Sequence, residues 1–140
     1  MRVVVDTNVF IGACMGTGAC NAVIQACFEH RFNPVMGAAL LTEYEDVLHR
    51  EALFTHCKLD RTERETLLDI FLSLCDWTKV YYLWRPNLRD EADNHLIELA
   101  IASGADYVVT RNVRDFQSSQ LLFPALRVIT PENFLKELHP

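Results

Sequence analysis

Met1-Arg2-Val3-Val4-Val5-Asp6-Thr7-Asn8 opens the chain, and its three consecutive β-branched residues lack the alternation of a half-buried strand. Such a run predicts a strand buried on both faces, as in a parallel sheet. The strand ends abruptly at a carboxylate, a hydroxyl and an amide. In open α/β sheets ligands bind beyond the carboxyl ends of the strands, so Asp6 stands where such a fold carries its chemistry. The plainer alternative is that Asp6 and Thr7 form an Asx-turn and cap whatever follows.

Working outward from this strand, Val9-Phe10-Ile11 leads into a loop expected around Gly12, Gly16 and Gly18. Ala19 to Phe28 has helical apolar spacing. Phe32 to Met36 predicts a short second strand in which Pro34 calls for an edge or strand-start position. Ala38 to Arg50 predicts a helix with Leu40, Leu41, Tyr44, Val47 and Leu48 on one face. A further helix is expected over Glu51 to Cys57, and Asp60-Arg61-Thr62-Glu63 resembles a capping box opening another. Thr78 to Trp84 is a strand candidate, and Arg85 to Asp90 reads as loop. Ala92 to Ala102 predicts a helix stopped by Gly104. Asp106 to Thr110 and Arg127 to Ile129 complete the strands, and Thr130-Pro131 caps a closing helix through Leu138. Strands alternating with helices specify an α/β fold with a mainly parallel sheet.

The 140 residues fit a single domain, 1–140, able to bury a core. Half are apolar, and the net charge of −6 argues against a general polyanion binder. The thirteen lysines and arginines still allow a local basic rim. Asp6 interrupts any secretory signal, and no apolar run reaches a membrane span. Five cysteines without a Cys-x-x-Cys pair argue against structural zinc and for a reduced, cytoplasmic setting. Cys20 and Cys27, seven apart in an apolar pattern, read as small buried hydrophobes.

The acids fall at the mouths of the elements. Asp6 follows the first strand, Asp90 and Asp93 begin the Ala92 helix, and Asp115 follows the Val108-Val109 strand. Glu43 lies beside the apolar stripe of its helix. In a parallel sheet Asp6 and Asp115 emerge at one edge, where the helices also begin. Two carboxylates a few ångströms apart cannot both stay ionised cheaply, and a divalent cation removes the conflict. Oxygen ligands without a His or Cys core suit Mg²⁺ or Mn²⁺ rather than zinc. A cation so held can activate water and neutralise a phosphodiester, which points to metal-assisted phosphodiester hydrolysis. Each acid also has a structural alternative: Asp90 as N-cap, Asp93 favoured by the helix dipole, Asp115 capping a short helix over Phe116 to Leu122, Glu43 as surface charge.

The ordered set Val4-Val5-Asp6-Thr7-Asn8, Leu41-Thr42-Glu43-Tyr44-Glu45-Asp46-Val47-Leu48, Asp90-Glu91-Ala92-Asp93-Asn94 and Gly104 to Asn112 with Arg114-Asp115-Phe116 resembles a PIN domain. The similarity is to the toxin-component, VapC-like ribonucleases of toxin-antitoxin systems, and Ile129 to Leu135 shares it. The resemblance implies a three-layer α/β/α fold with a five-stranded parallel sheet, a Mg²⁺ or Mn²⁺ site and endonucleolytic cleavage of RNA. Carried over by position, the acids are Asp6, Glu43 and Asp93. The family's fourth acid falls where this chain has Asn112, and Asp115, three residues on, is the expected substitute. Thr7, Asn8, Thr110 and Asn112 are expected to orient ligands or metal-bound water. Arg85, Arg89, Arg111 and Arg114 are the candidates to meet RNA phosphates, or else to pair with neighbouring acids. An antitoxin and a homodimer are the partners implied, with no membrane. His95, a lone histidine on a helix, reads as structural.

Phosphoaspartyl chemistry of the haloacid-dehalogenase kind would need a second Asp where Asn8 stands. Dinucleotide binding would need the absent Gly-x-Gly-x-x-Gly. The serious competitor is a catalytically idle module of the same fold that binds a protein or RNA, with Trp77, Tyr81, Tyr82 and Trp84 contributing to an apolar groove or else belonging to the core or a dimer interface.

Overall fold

The computed structural model describes residues 1–16, 18–80, 91–116 and 123–139, with the backbone alone at 91–93. Its elements run β1 (Arg2–Val5), α1 (Thr7–Cys14), α2 (Gly18–Phe28), β2 (Asn33–Met36), α3 (Ala38–Leu48), α4 (Arg61–Leu74) and β3 (Asp76–Trp77). Then follow α5 (Glu91–Ser103), β4 (Tyr107–Val109), β5 (Arg127–Ile129) and α6 (Pro131–Leu138). The five strands form one parallel sheet in the order β3-β2-β1-β4-β5. This is the α/β fold that the alternation of elements specifies.

The Val3-Val4-Val5 run is the centre of that sheet. All three side chains are buried, and they lie in register with Tyr107, Val108 and Val109 of β4. Because β2 and β3 build outward on one side of β1 while β4 and β5 build on the other, the winding reverses between β1 and β4. The crevice at such a reversal is where open α/β sheets bind their ligands. Asp6 and Thr110 are the first residues past those two strands.

Pro34 occupies a position that needs no donor. The Asn33 amide donates to the Met1 carbonyl, so the next residue's missing N–H faces β3. There pairing begins only at Val35. Of the strand candidate Thr78 to Trp84, Thr78 to Val80 are not strand, and the strand that pairs with β2 lies just before them at Asp76–Trp77. Residues 81–84 of that candidate, the loop over Arg85 to Asp90, and Gln117 to Leu122 of the short helix lie outside the described residues.

A second correction concerns residues 7–14, expected as an apolar stretch entering a loop. They form α1, in which Val9 and Ala13, and Phe10 and Cys14, are buried pairs four apart. Asp6 caps the helix through the Thr7 amide, and Gly16 at φ +78° lies past its end. The Glu51 helix shortens to a 3-10 turn, Glu51–Phe54. The capping box at Asp60 and Glu63 is present in both directions, and Thr130 caps α6 ahead of Pro131. Gly104, at φ +67°, stops α5 as expected. Cys20 and Cys27 are buried. Among the described residues no single helix is long and apolar enough to cross a membrane.

Tyr44 of α3 ties the helix layer to the central strand. Its ring is buried against Phe10 and Phe71, and its hydroxyl donates to the Val5 carbonyl at 2.7 Å. Tyr44→Phe keeps the ring and deletes the bond, which is expected to cost about 1 kcal/mol. Thermal denaturation should show this as a fall in Tm of roughly 3–5 °C.

Candidate functional site

The site begins with the buried carboxylate that ends β1. The Asp6 amide continues the ladder by donating to the Val109 carbonyl at 3.0 Å. Its side chain then turns across the strand ends. Oδ1 accepts from the Thr7 amide at 2.7 Å. Oδ2 accepts from the Thr110 hydroxyl at 2.8 Å and from Asn8 Nδ2 at 3.3 Å. Thr110 is itself fixed, its oxygen accepting from the Asn112 amide at 3.1 Å and from Asn8 Nδ2 at 3.3 Å. The Arg111 amide donates to Asn8 Oδ1 at 3.2 Å. The ends of β1 and β4 are thus laced together by short polar side chains.

From Thr7 the bonding continues to α3 and α5. The Thr7 hydroxyl donates to Glu43 Oε1 at 3.0 Å, and His95 Nε2 lies 2.6 Å from Glu43 Oε2. The result is one hydrogen-bonded chain from Thr110 through Asp6, Thr7 and Glu43 to His95. With Nε2 engaged by the carboxylate, His95 Nδ1 is a buried atom with no partner among the described residues.

Electrostatically the two carboxylates are pushed apart. Burial raises the Asp6 carboxyl above its ordinary range; the Thr110 bond opposes this, the charge of Glu43 adds to it, and Thr7 and His95 oppose it. For Glu43, burial pulls upward, but the hydrogen bond and charge of His95 and the bond from Thr7 outweigh it. Its carboxyl ends below the ordinary range.

Of the residues singled out in the sequence, Asp6, Thr7, Asn8, Glu43 and Thr110 meet in this chain of bonds, and Asn112 joins it through its amide. Asp115 does not join it. It sits exposed on a 3-10 turn, Val113–Phe116, its amide bonded to the Asn112 carbonyl. The Asp93 side chain and all of Asp90, Arg85 and Arg89 lie outside the described residues. Arg111 is turned away from the site: its guanidinium pairs with Glu132 and reaches Cys20 Sγ at 3.3 Å. Arg114 is exposed. His95, read as structural, proves to be the partner of Glu43. No spacing along the sequence could reveal a pair formed only when α3 and α5 pack.

The oxygen-only donors Asp6 and Glu43 suit a hard divalent cation. Among the described residues no three His, Cys, Asp or Glu side chains group so as to hold a metal, and the Asp93 side chain lies outside those residues.

Fold and site together define an α/β protein with an acidic polar centre at the switch point of a parallel sheet. A family model for the PIN domain matches residues 2–114, and the chain belongs to the PIN-domain family, a family of nucleases. Among solved structures it is similar to VapBC2 from Rickettsia felis bound to a promoter DNA fragment. The TM-score is 0.62 at 17% identity, covering 93% of this chain and 98% of that one. It is also similar to PAE2754 from Pyrobaculum aerophilum, with a TM-score of 0.59, 17% identity, and coverage of 99% and 90%. A comparison with curated proteins finds no match.

The raised Asp6 carboxyl makes a prediction for the metal-free protein. A folded-state pKa above the unfolded value means that folding favours the protonated form. That contribution is complete at low pH and is lost as pH rises through the folded value. Asp6→Asn removes the buried charge and its pH dependence, while its amide NH2 must displace a bond that Thr110, Asn8 or Thr7 makes here. In EDTA the Tm of the variant relative to wild type should therefore rise by a few degrees between pH 4 and pH 8. Calorimetry at the two pH values measures it.

Proposed function

We propose that this single-domain, cytoplasmic PIN protein is a metal-dependent endoribonuclease acting as the toxin of a toxin-antitoxin pair. The observation that carries the reading is the desolvated Asp6 carboxylate at the β1/β4 switch point, one hydroxyl away from Glu43. Family membership supports nuclease chemistry. The fold neighbour solved as a VapBC2 complex supports an antitoxin partner, and a homodimer remains part of the proposal.

Asp6 and Glu43, with Asp93 and Asp115, would hold a Mg²⁺ or Mn²⁺ ion. When bound, that ion supplies charge neutralisation at the phosphodiester and an acidified water. The protein's own part is orientation. Thr110, Thr7 and Asn8 fix both Asp6 oxygens, so the carboxylate does not have to reorganise as the substrate arrives. His95 and Thr7 hold Glu43 ionised and aimed. Arg114, exposed beyond β4, would meet a phosphate in this reading, whereas Arg111 pairs with Glu132. The exposed position of Asp115, together with Asn112 at the usual acid position, favours the idle binding module as the second reading.

Cleavage of a mixed structured and single-stranded RNA pool separates the two. Wild type with Mg²⁺ or Mn²⁺ should cut, EDTA should abolish cutting, and Asp6→Asn should lose at least about a hundredfold. Asp115→Asn should cost as much if Asp115 is the fourth acid and little if Asn112 serves in its stead. A folded, metal-supplied wild type that leaves every RNA in the pool intact would sink the nuclease reading in favour of the binding module.

A further inference from the structure

Beside the acidic centre, the ends of β2 and β3 frame a second feature that the hydrolytic chemistry does not use. A hollow of about 640 Å³ opens there between the start of α3, the residues after β3 and one face of α5. Its walls are chiefly apolar, with Leu41 and Leu99 among them. Gly37 keeps the floor tight: a Cβ there would stand 3.0 Å from Leu99 Cδ1 and 3.3 Å from the Thr78 carbonyl. At the edge lies Trp77, 56% exposed although it belongs to a strand of the sheet. Lys79, also lining the hollow, is exposed.

The hollow and the acidic centre share a wall. His95 lines the hollow and also bonds to Glu43, so one side chain separates the two. Both lie past the carboxyl ends of neighbouring strands, the acids at β1 and β4, the hollow at β2 and β3. A strand of nucleic acid lying across those ends would present a phosphate to one and the adjoining nucleotide to the other.

Charge decides which part of that nucleotide enters. Glu98 also lines the hollow and would repel a phosphate there, whereas an uncharged planar ring finds chiefly apolar walls and an aromatic face to stack upon. Lys79 meanwhile offers a cation to the backbone outside. We infer that this hollow is a subsite for an unpaired nucleobase adjoining the scissile phosphate, with Trp77 as its stacking platform. The inference rests on the nuclease reading for its substrate and specifies the chemistry by which the strand is held: an unstacked base beside the scissile phosphate, seated on Trp77.

The test reads binding without cleavage. The full chain carries Asp6→Asn, so that RNA stays intact, and Trp84→Phe, so that Trp77 is the sole indole. A mixed-sequence single-stranded RNA hexamer is titrated against its emission, alongside an abasic hexamer and a duplex of equal length. The hexamer should quench saturably, and the abasic and duplex molecules should not. Ala39→Phe, at an exposed position lining the hollow, should weaken the hexamer about tenfold without touching the indole. In otherwise wild-type protein, Trp77→Ala should raise the KM for single-stranded RNA by a similar factor.

Equal quenching by the abasic chain, no quenching at all, or indifference to Ala39→Phe would each overturn the subsite. So would emission that shifts with protein concentration alone, since the hollow would then be covered by a second copy of the chain. Quenching by the hexamer with an RNA pool left uncut by wild type would instead defeat the nuclease reading and leave the base site standing. Cleavage without quenching would do the reverse.

Discussion

Asp6 is a carboxylate held almost out of solvent at the centre of the sheet, and much of the local architecture exists to tolerate it. Moving a charge out of water costs several kcal/mol, recovered only where hydrogen bonds meet the exposed lone pairs. Here the donors come from both sides of the winding reversal: the Thr7 amide at the head of α1, Asn8 one residue on, and Thr110 at the end of β4. The start of α1 adds its favourable dipole. Even so, the compensation is incomplete, and the carboxyl remains displaced upward.

Two helices then do double service. α3 anchors itself to β1 through Tyr44 and presents Glu43 one residue earlier on the same turn. α5 covers the sheet with Leu96, Ile97 and Leu99 while His95 reaches Glu43. Because the positioning groups ride on core helices rather than on loops, the packing that stabilises the fold also sets the distances in the polar chain. The same two helices supply walls of the neighbouring hollow, so chemistry and the proposed recognition of substrate share one rigid frame.

The parts of this arrangement visible in the sequence are those governed by local rules. An unbroken Val-Val-Val run, a Gly at a left-handed helix stop, a Thr-Pro cap and an Asp/Glu capping box each depend on a few neighbouring residues, and each lies where expected. The failures come where a distant element decides. Residues 7–14 read as an apolar stretch entering a loop because their apolar content hides a helical pairing that Asp6 initiates. The short β3 is cut to length by β2, its neighbour in the sheet. Arg111 follows the acidic motif in sequence, and of its two expected roles the ion pair is the one formed, with an acid on α6 that only the fold brings near. His95 acquires its partner from a residue 52 positions away. Asp6, Glu43 and Thr110 were legible as chemistry-bearing types at element ends; the chain of bonds joining them was not.

The span of those bonds bears on how the protein comes into being. Thr110 reaches Asp6 across 104 positions, and Glu43 meets His95 across 52. Contacts so distant in sequence demand loop closure before they return anything, so they belong to the late, slow part of folding. A ribosome-bound chain that has exposed only β1 and α3 can join Asp6 to Glu43 through Thr7 but lacks the Thr110 and His95 partners of that pair. The polar chain is completed only when α5 and β4 pack in place. Synthesis itself thus delays the appearance of a competent site until most of the polypeptide has emerged.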